Sequence, residues 1–232
     1  MNPFSITELN GESYKRYPSP CNFLMSIEKL SVDEIAPYLR LHLFEGVPYF
    51  LRDNPIVYEM AREWLSHKLD ISPRDVFVIG SSSIGFSMAP PPNFGNSYTD
   101  KSDIDLAIIS SGLFNQLVNS FTDWKRDYES GSVQPQTTEI NYWDDNKKTV
   151  PKNIARGFID TYKIPNRKCY VSSDINNSLW QLGEKIRITI EQPAKINVSA
   201  RIYKDWHSFS KQFQLNFNRT RQKINELCPD GR

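Results

Sequence analysis

Cysteine and histidine are scarce in this chain, with three of each among 232 residues, and the shortage closes off two architectures. Cys21, Cys169 and Cys228 are odd in number and widely spaced, with no C-x-x-C pair, so a disulfide framework is not expected. His42, His67 and His207 are just as scattered, which leaves no ligand set for zinc. No apolar run approaches the ~20 residues needed to cross a membrane. The opening Met1-Asn2-Pro3-Phe4 lacks the basic segment and apolar stretch of a secretory signal. Together these absences predict a reduced, cytoplasmic protein with no membrane partner. Charge of one sign is also missing: the net value is +1, so any contact with nucleic acid must come from a local patch.

What remains suits a folded protein. The 39% hydrophobic and 12% aromatic content is enough to build an ordered core. The length fits a single unit, without repeats or low-complexity segments. Its pattern divides into a helical wall over 1–70, a core over 71–130, a mainly helical and loop insertion over 131–195, and a strand and helix over 196–232. The first ~30 residues, with Pro18 and Pro20, read as a surface wrap. A helix is expected from about Val32 to Phe44 behind Ser31, and another after Asn54-Pro55, where the asparagine caps and the proline suits the first turn.

Val76-Phe77-Val78-Ile79 is short, apolar and β-branched, and it predicts a buried strand ending at Gly80. Pro90-Pro91-Pro92 and Gly95-Asn96 then force a loop. A second strand runs from about Asp103 to Ser110, where Ile104, Leu106 and Ile108 alternate with Asp103, Asp105 and Ala107; both aspartates therefore share a face. A helix follows from Leu113 to about Tyr128. Beyond a loop at Gly131 to Glu139, helices are expected over Lys152–Asp160 and Ile175–Lys185. Ile196–Tyr203 alternates strictly and predicts an amphipathic strand beside the Asp103–Ser110 strand, its polar face carrying Asn197, Ser199 and Arg201. A final helix carries Trp206, Phe209, Phe213, Phe217, Ile224 and Leu227 at helical spacing, most simply as core.

Chemistry gathers at two places. The turn at Gly80-Ser81 opens a small polar segment, Ser82 and Ser83 included, whose backbone N–H groups can face a triphosphate. No His or acid is tied to Ser82 or Ser83 by motif, so phosphate-lining suits them better than a nucleophilic role. Asp103 and Asp105 offer two carboxylates on one rigid strand, the kind of oxygen ligand that Mg²⁺ or Mn²⁺ takes alongside phosphates and water. Either motif alone is common. The conjunction is more specific: apolar strand, Gly-Ser, a loop of about twenty residues, then Asp-Ile-Asp opening a second apolar strand.

With Gly80-Ser81 and Ser102-Asp103-Ile104-Asp105-Leu106 in place, the chain resembles the polymerase-β-like nucleotidyltransferase superfamily over roughly residues 76–110. Gly85-Phe86-Ser87 and the Ser110-to-Phe114 segment look like a small bacterial branch of it. The resemblance implies an α/β (α+β) fold with a small mixed sheet flanked by helices. It implies Asp103 and Asp105 as catalytic metal ligands for Mg²⁺ or Mn²⁺, with Gly80, Ser81, Ser82, Ser83, Asn197 and Arg201 around a bound NTP such as ATP. The acceptor would be a hydroxyl of RNA, DNA, nucleotide or protein. A catalytically silent relative would instead bind nucleotide or nucleic acid as a sensor, or as the protein partner of an antiviral-defence or toxin–antitoxin complex.

Members of the superfamily usually add a third carboxylate from a following strand. Ile196–Tyr203 offers none, so Glu191, Glu139 or Asp174 must fold in, or the centre is degenerate. Arg201 reads equally as a phosphate clamp and as a structural partner of Asp103 or Asp105. The basic clusters at Lys185 and Arg187, Lys147-Lys148, Arg167-Lys168, and Arg219, Arg221 and Lys223 read first as solvated helix faces.

Overall fold

A computed structural model describes residues 14–165 and 169–227, with side chains through 224. Arg167-Lys168 and Cys228 lie outside the described residues. Eight α-helices and a four-stranded mixed sheet make up the described part. In chain order these are α1 (Pro20–Lys29), α2 (Val32–Leu43), α3 (Pro55–Leu69), β1 (Val76–Ile79), α4 (Ser81–Ile84), β2 (Ile104–Ile109), α5 (Ser111–Glu129), α6 (Ile140–Ala155), β3 (Phe158–Asp160), α7 (Tyr170–Thr189), β4 (Val198–Tyr203) and α8 (Trp206–Leu227). Among the described residues no helix is long and apolar enough to cross a membrane.

The strand order is β1-β2-β4-β3, with β1 antiparallel to β2, β2 parallel to β4, and β3 antiparallel to β4. Alternation along the strands gives the sheet two unlike faces. One face carries Val76, Val78, Ile104, Leu106, Ile108, Ile159, Ala200 and Ile202, all buried in the main core beneath α3, α5 and α7. The long helices meet it with apolar stripes, as in α5, where Leu113, Leu117, Phe121 and Trp124 are buried. Local chemistry sets their ends. The Ser110 hydroxyl accepts from the Leu113 N–H at 3.2 Å to start α5, while Asp70 in the left-handed region closes α3. Gly183 lets α7 lie hard against the chain entering β4, since a Cβ there would stand 2.5 Å from the Ile196 carbonyl oxygen.

The opposite face changes character along its length. At one end Phe77, Ala107, Ile109, Phe158 and Tyr203 are buried against Phe209 of α8. The Trp206, Phe209, Phe213 and Phe217 stripe divides accordingly. Phe209 and Phe217 are buried and Phe213 is half-buried, but Trp206 remains 47% exposed.

Two expectations need correction. The 14–30 segment is no surface wrap: α1 inserts Phe23 and Ile27, which are fully buried against Tyr38, Leu39 and Phe86. Lys152–Asp160 is not one helix, because α6 stops at Ala155 and Gly157 turns the chain with φ of +81° into β3. The 131–195 stretch is tied into the sheet and the core. It supplies an edge strand and, in α7, a helix of the main core.

Candidate functional site

The acidic end of the second face is built by β2 and β4 together. Asp103 stands just before β2 and Asp105 is its second residue; both are exposed, whereas Ala107 on the same face is fully buried. The polar patch therefore ends where α8 begins to cover the sheet. As the alternation of Ile196–Tyr203 predicts, β4 lies directly beside β2, with Asp105 opposite Ser199 and Ala107 opposite Arg201.

Asn197, just before β4, and the outward residues Ser199 and Arg201 of β4 each hold one aspartate. Asn197 Nδ2 donates to Asp103 Oδ1 at 3.1 Å, and Ser199 Oγ donates to Asp105 Oδ1 at 2.7 Å. Arg201 Nε donates to Asp160 Oδ1 at 2.7 Å, across the β3–β4 pair. The first two rungs are exposed. The third is not: the Asp160 side chain is 5% accessible, and its Oδ2 also accepts from Asn153 Nδ2 at 3.3 Å. Burial alone disfavours the Arg201 cation, but Asp160 and Tyr203 outweigh it and push its pKa upward. The guanidinium further stacks on Phe158, 4.5 Å from the ring centre. Arg201 is thus the structural partner of a third aspartate that sequence reasoning missed, and not of Asp103 or Asp105.

The other candidates for a third acid lie elsewhere in the fold. Asp174 is exposed on α7, and Glu191 follows that helix with φ of +54°. Glu139 Oε2 accepts from the Gln136 N–H at 2.8 Å ahead of α6.

Gly80 stands at the mouth of the acidic patch. Its φ of +74° and ψ of −154° suit glycine alone, and a Cβ built on it would be 3.5 Å from Asp105 Oδ2. The β1–α4 turn therefore passes directly over the second carboxylate, with half-buried Ser81 next in line. Ser82 and Ser83 do not line the patch with their hydroxyls. Both are buried, with Ser82 Oγ donating to the Ile79 carbonyl at 3.1 Å and Ser83 Oγ to the Leu43 carbonyl at 2.8 Å. Their role in the turn is to anchor it.

The rim carries a tyrosine that the sequence reading did not single out. Tyr162 follows β3 and is 54% exposed; the Tyr142 hydroxyl donates to its carbonyl oxygen. Burial raises the Tyr162 pKa, and the charges of Asp160 and Asp105 add to the rise against the pull of Arg201.

The residues fit a divalent cation in one specific sense. Asn197 and Ser199 each engage an Oδ1 atom, so the two carboxylates are oriented by neighbours that bring no competing positive charge. Among the described residues no group of three or more His, Cys, Asp or Glu side chains could hold a metal. The pair suits an ion shared with phosphate oxygens rather than a cage made by protein alone.

Two hollows flank the sheet. One, of about 410 Å³, lies between α3 and α7 over the apolar face, where Lys185 stands over the Trp64 ring at 5.4 Å. The other, of about 370 Å³, has Gly80 in its wall and so adjoins the carboxylates. Comparison of the chain with models of protein families, with curated proteins and with solved structures finds no match.

Proposed function

We propose that this protein is a nucleotidyltransferase that moves a nucleoside monophosphate from an NTP to an acceptor hydroxyl, on a nucleotidyltransferase fold. One observation carries the reading: two exposed carboxylates, Asp103 and Asp105, share a sheet face with each Oδ1 hydrogen-bonded by Asn197 or Ser199, directly under a glycine-only turn at Gly80. Phosphoryl transfer asks little covalent chemistry of a protein and depends on positioning and charge. Asp103 and Asp105 would hold Mg²⁺ or Mn²⁺, which when bound supplies positive charge to the phosphates and their developing negative charge. Asn197 and Ser199 keep the carboxylates from swinging. Gly80 brings backbone close to them without a side chain between. In the reaction the acceptor oxygen bonds to the α-phosphorus as the bond to the bridging oxygen breaks; pyrophosphate leaves and one proton is released.

Incubation of the pure protein with each labelled NTP, Mg²⁺ or Mn²⁺, and RNA and protein acceptors tests the reading. Asp103→Ala and Asp105→Ala are each expected to lower transfer by about 10²–10³ or more while the melting temperature holds. Full activity in both variants eliminates the mechanism.

A second reading rests on Asp160. The one further acid that β3 brings to this face is buried and engaged by Arg201 and Asn153, which leaves two carboxylates facing solvent. A protein so equipped would bind nucleotide as a sensor without turning it over. NTP binding with no transfer to any acceptor selects this reading.

A further inference from the structure

The cleft beside Gly80 has the chemistry of a base-binding site. It opens between the C-terminal end of α2, the segment Met88–Pro90 and one side of α8, and its volume of about 370 Å³ is in the usual range for small-molecule sites, roughly 300–1,000 Å³. Phe44 and Phe213 meet edge to face in its wall, with ring centres 4.6 Å apart, and Met88 also lines it. Such walls accept a flat heterocycle through stacking and sulfur contact. Because Gly80 belongs both to this wall and to the turn over Asp105, a ligand lodged here would have its other end at the carboxylate pair.

Two side-chain donor groups, those of Asn216 and Arg219, stand among the polar groups of the cleft. The Thr220 hydroxyl donates to the Met88 carbonyl at 3.0 Å, and the Pro90 carbonyl accepts from the Asn93 N–H at 3.2 Å, so each of these two carbonyls already takes one hydrogen bond. Asn216 Oδ1 accepts from Gln212 Nε2 at 2.9 Å, an arrangement that leaves the Asn216 NH₂ group as a donor. Arg219, exposed at the same mouth, has no carboxylate partner among the described residues. A donor pair of amide and guanidinium matches an edge with two acceptors. Guanine presents such an edge in N7 and O6, whereas adenine pairs its N7 acceptor with an amino donor.

We infer that this cleft binds the base of a nucleoside triphosphate and prefers guanine, with Arg219 and Asn216 reading its N7 and O6 edge. The inference deepens the transferase reading and rests on it for the placement of the phosphates. Its test measures binding alone. The α,β-methylene analogues of GTP, ATP, CTP and UTP, which cannot release pyrophosphate from the α-phosphorus, are titrated calorimetrically with Mg²⁺ and no acceptor. The GTP analogue is expected to bind about 10-fold more tightly than the ATP analogue. Ala89→Trp and Asn216→Trp, both at exposed positions of the cleft lining, fill the cleft and are expected to weaken the GTP analogue at least 10-fold with unchanged melting temperature. Arg219→Gln is expected to remove the guanine preference.

Equal affinity for GTP and ATP analogues, or full binding in both tryptophan variants, overturns the inference. So does an Arg219→Gln variant that weakens all four analogues equally, because that result marks a phosphate contact. Guanine-selective binding in a protein that transfers nothing supports the cleft while removing the transferase reading. Transfer from all four NTPs that ignores the tryptophan variants does the reverse.

Discussion

The two faces of one small sheet are organised by opposite rules. On the face under α3, α5 and α7 every strand contributes aliphatic side chains, and nothing polar interrupts them. On the other face the aromatic cover of α8 stops short, and exposed Asp103 and Asp105 lie beyond it beside the buried Asp160, each bonded to its own residue in or just before β4. The first face is made for burial. The second holds like charges together in the open, which a folded chain sustains only where water and hydrogen-bond donors offset the repulsion. The difference separates residues that stabilise the molecule from residues that the molecule positions.

Within the acidic face itself the rungs differ most, and the largest effect on stability is expected there. Arg201→Met leaves Asp160 buried without its counter-charge and is expected to cost about 3–5 kcal/mol in denaturant unfolding. Asn197→Ala and Ser199→Ala break the exposed rungs and are expected to stay within about 1 kcal/mol of wild type. Similar losses from all three would erase the distinction between a structural rung and two positioning rungs.

Across the sheet, Ile108→Ala opens a cavity in the aliphatic face and is expected to cost about 2–5 kcal/mol. Asp105→Ala, on the opposite face of the same strand, is expected to leave the melting temperature unchanged or raise it. A destabilised Asp105→Ala would show that the carboxylate supports the fold.

The smallest effect concerns the start of the cover. Asp205 Oδ1 accepts from the Ser208 N–H at 2.7 Å as α8 begins, and that bond holds its pKa below the ordinary value. A pKa lowered in the folded state adds stability above the unfolded value of about 4 and loses it as pH falls through the folded value. Asp205→Ala is thus expected to cost about 1 kcal/mol at pH 7, with the deficit fading below about pH 4 in urea unfolding across pH.

The legible parts of the molecule are those where local pattern and tertiary role agree. The aliphatic run of β1, the alternation of β2 and β4, and the Asn54-Pro55 start of α3 each state in sequence what the fold uses. The pairing of β4 with β2 follows because the face of Ile196, Val198, Ala200 and Ile202 has to be buried. Asp160 was illegible for the converse reason. β3 is three residues long, begins right after a helix and runs into a single 3₁₀ turn, so no periodicity can develop. A glycine followed by two apolar residues and an acid is its whole signal, and many loops share it. Ser82 and Ser83 carry contacts that composition does not reveal. Their composition suggests a phosphate loop, while the carbonyl that engages Ser83 comes from Leu43, 40 residues earlier.

The rungs at Asp103 and Asp105 also join positions 94 residues apart in the chain. As the protein is synthesised, β1 and β2 can form their hairpin long before β4 leaves the ribosome. Through that interval the second edge of β2 has no neighbour, and its aliphatic side lacks α7. Such an edge invites pairing with another chain, and Asp103 and Asp105 sit at its leading end, where unpartnered negative charge repels an identical strand. The same two carboxylates thereby disfavour association of the nascent sheet until β4 arrives to engage them.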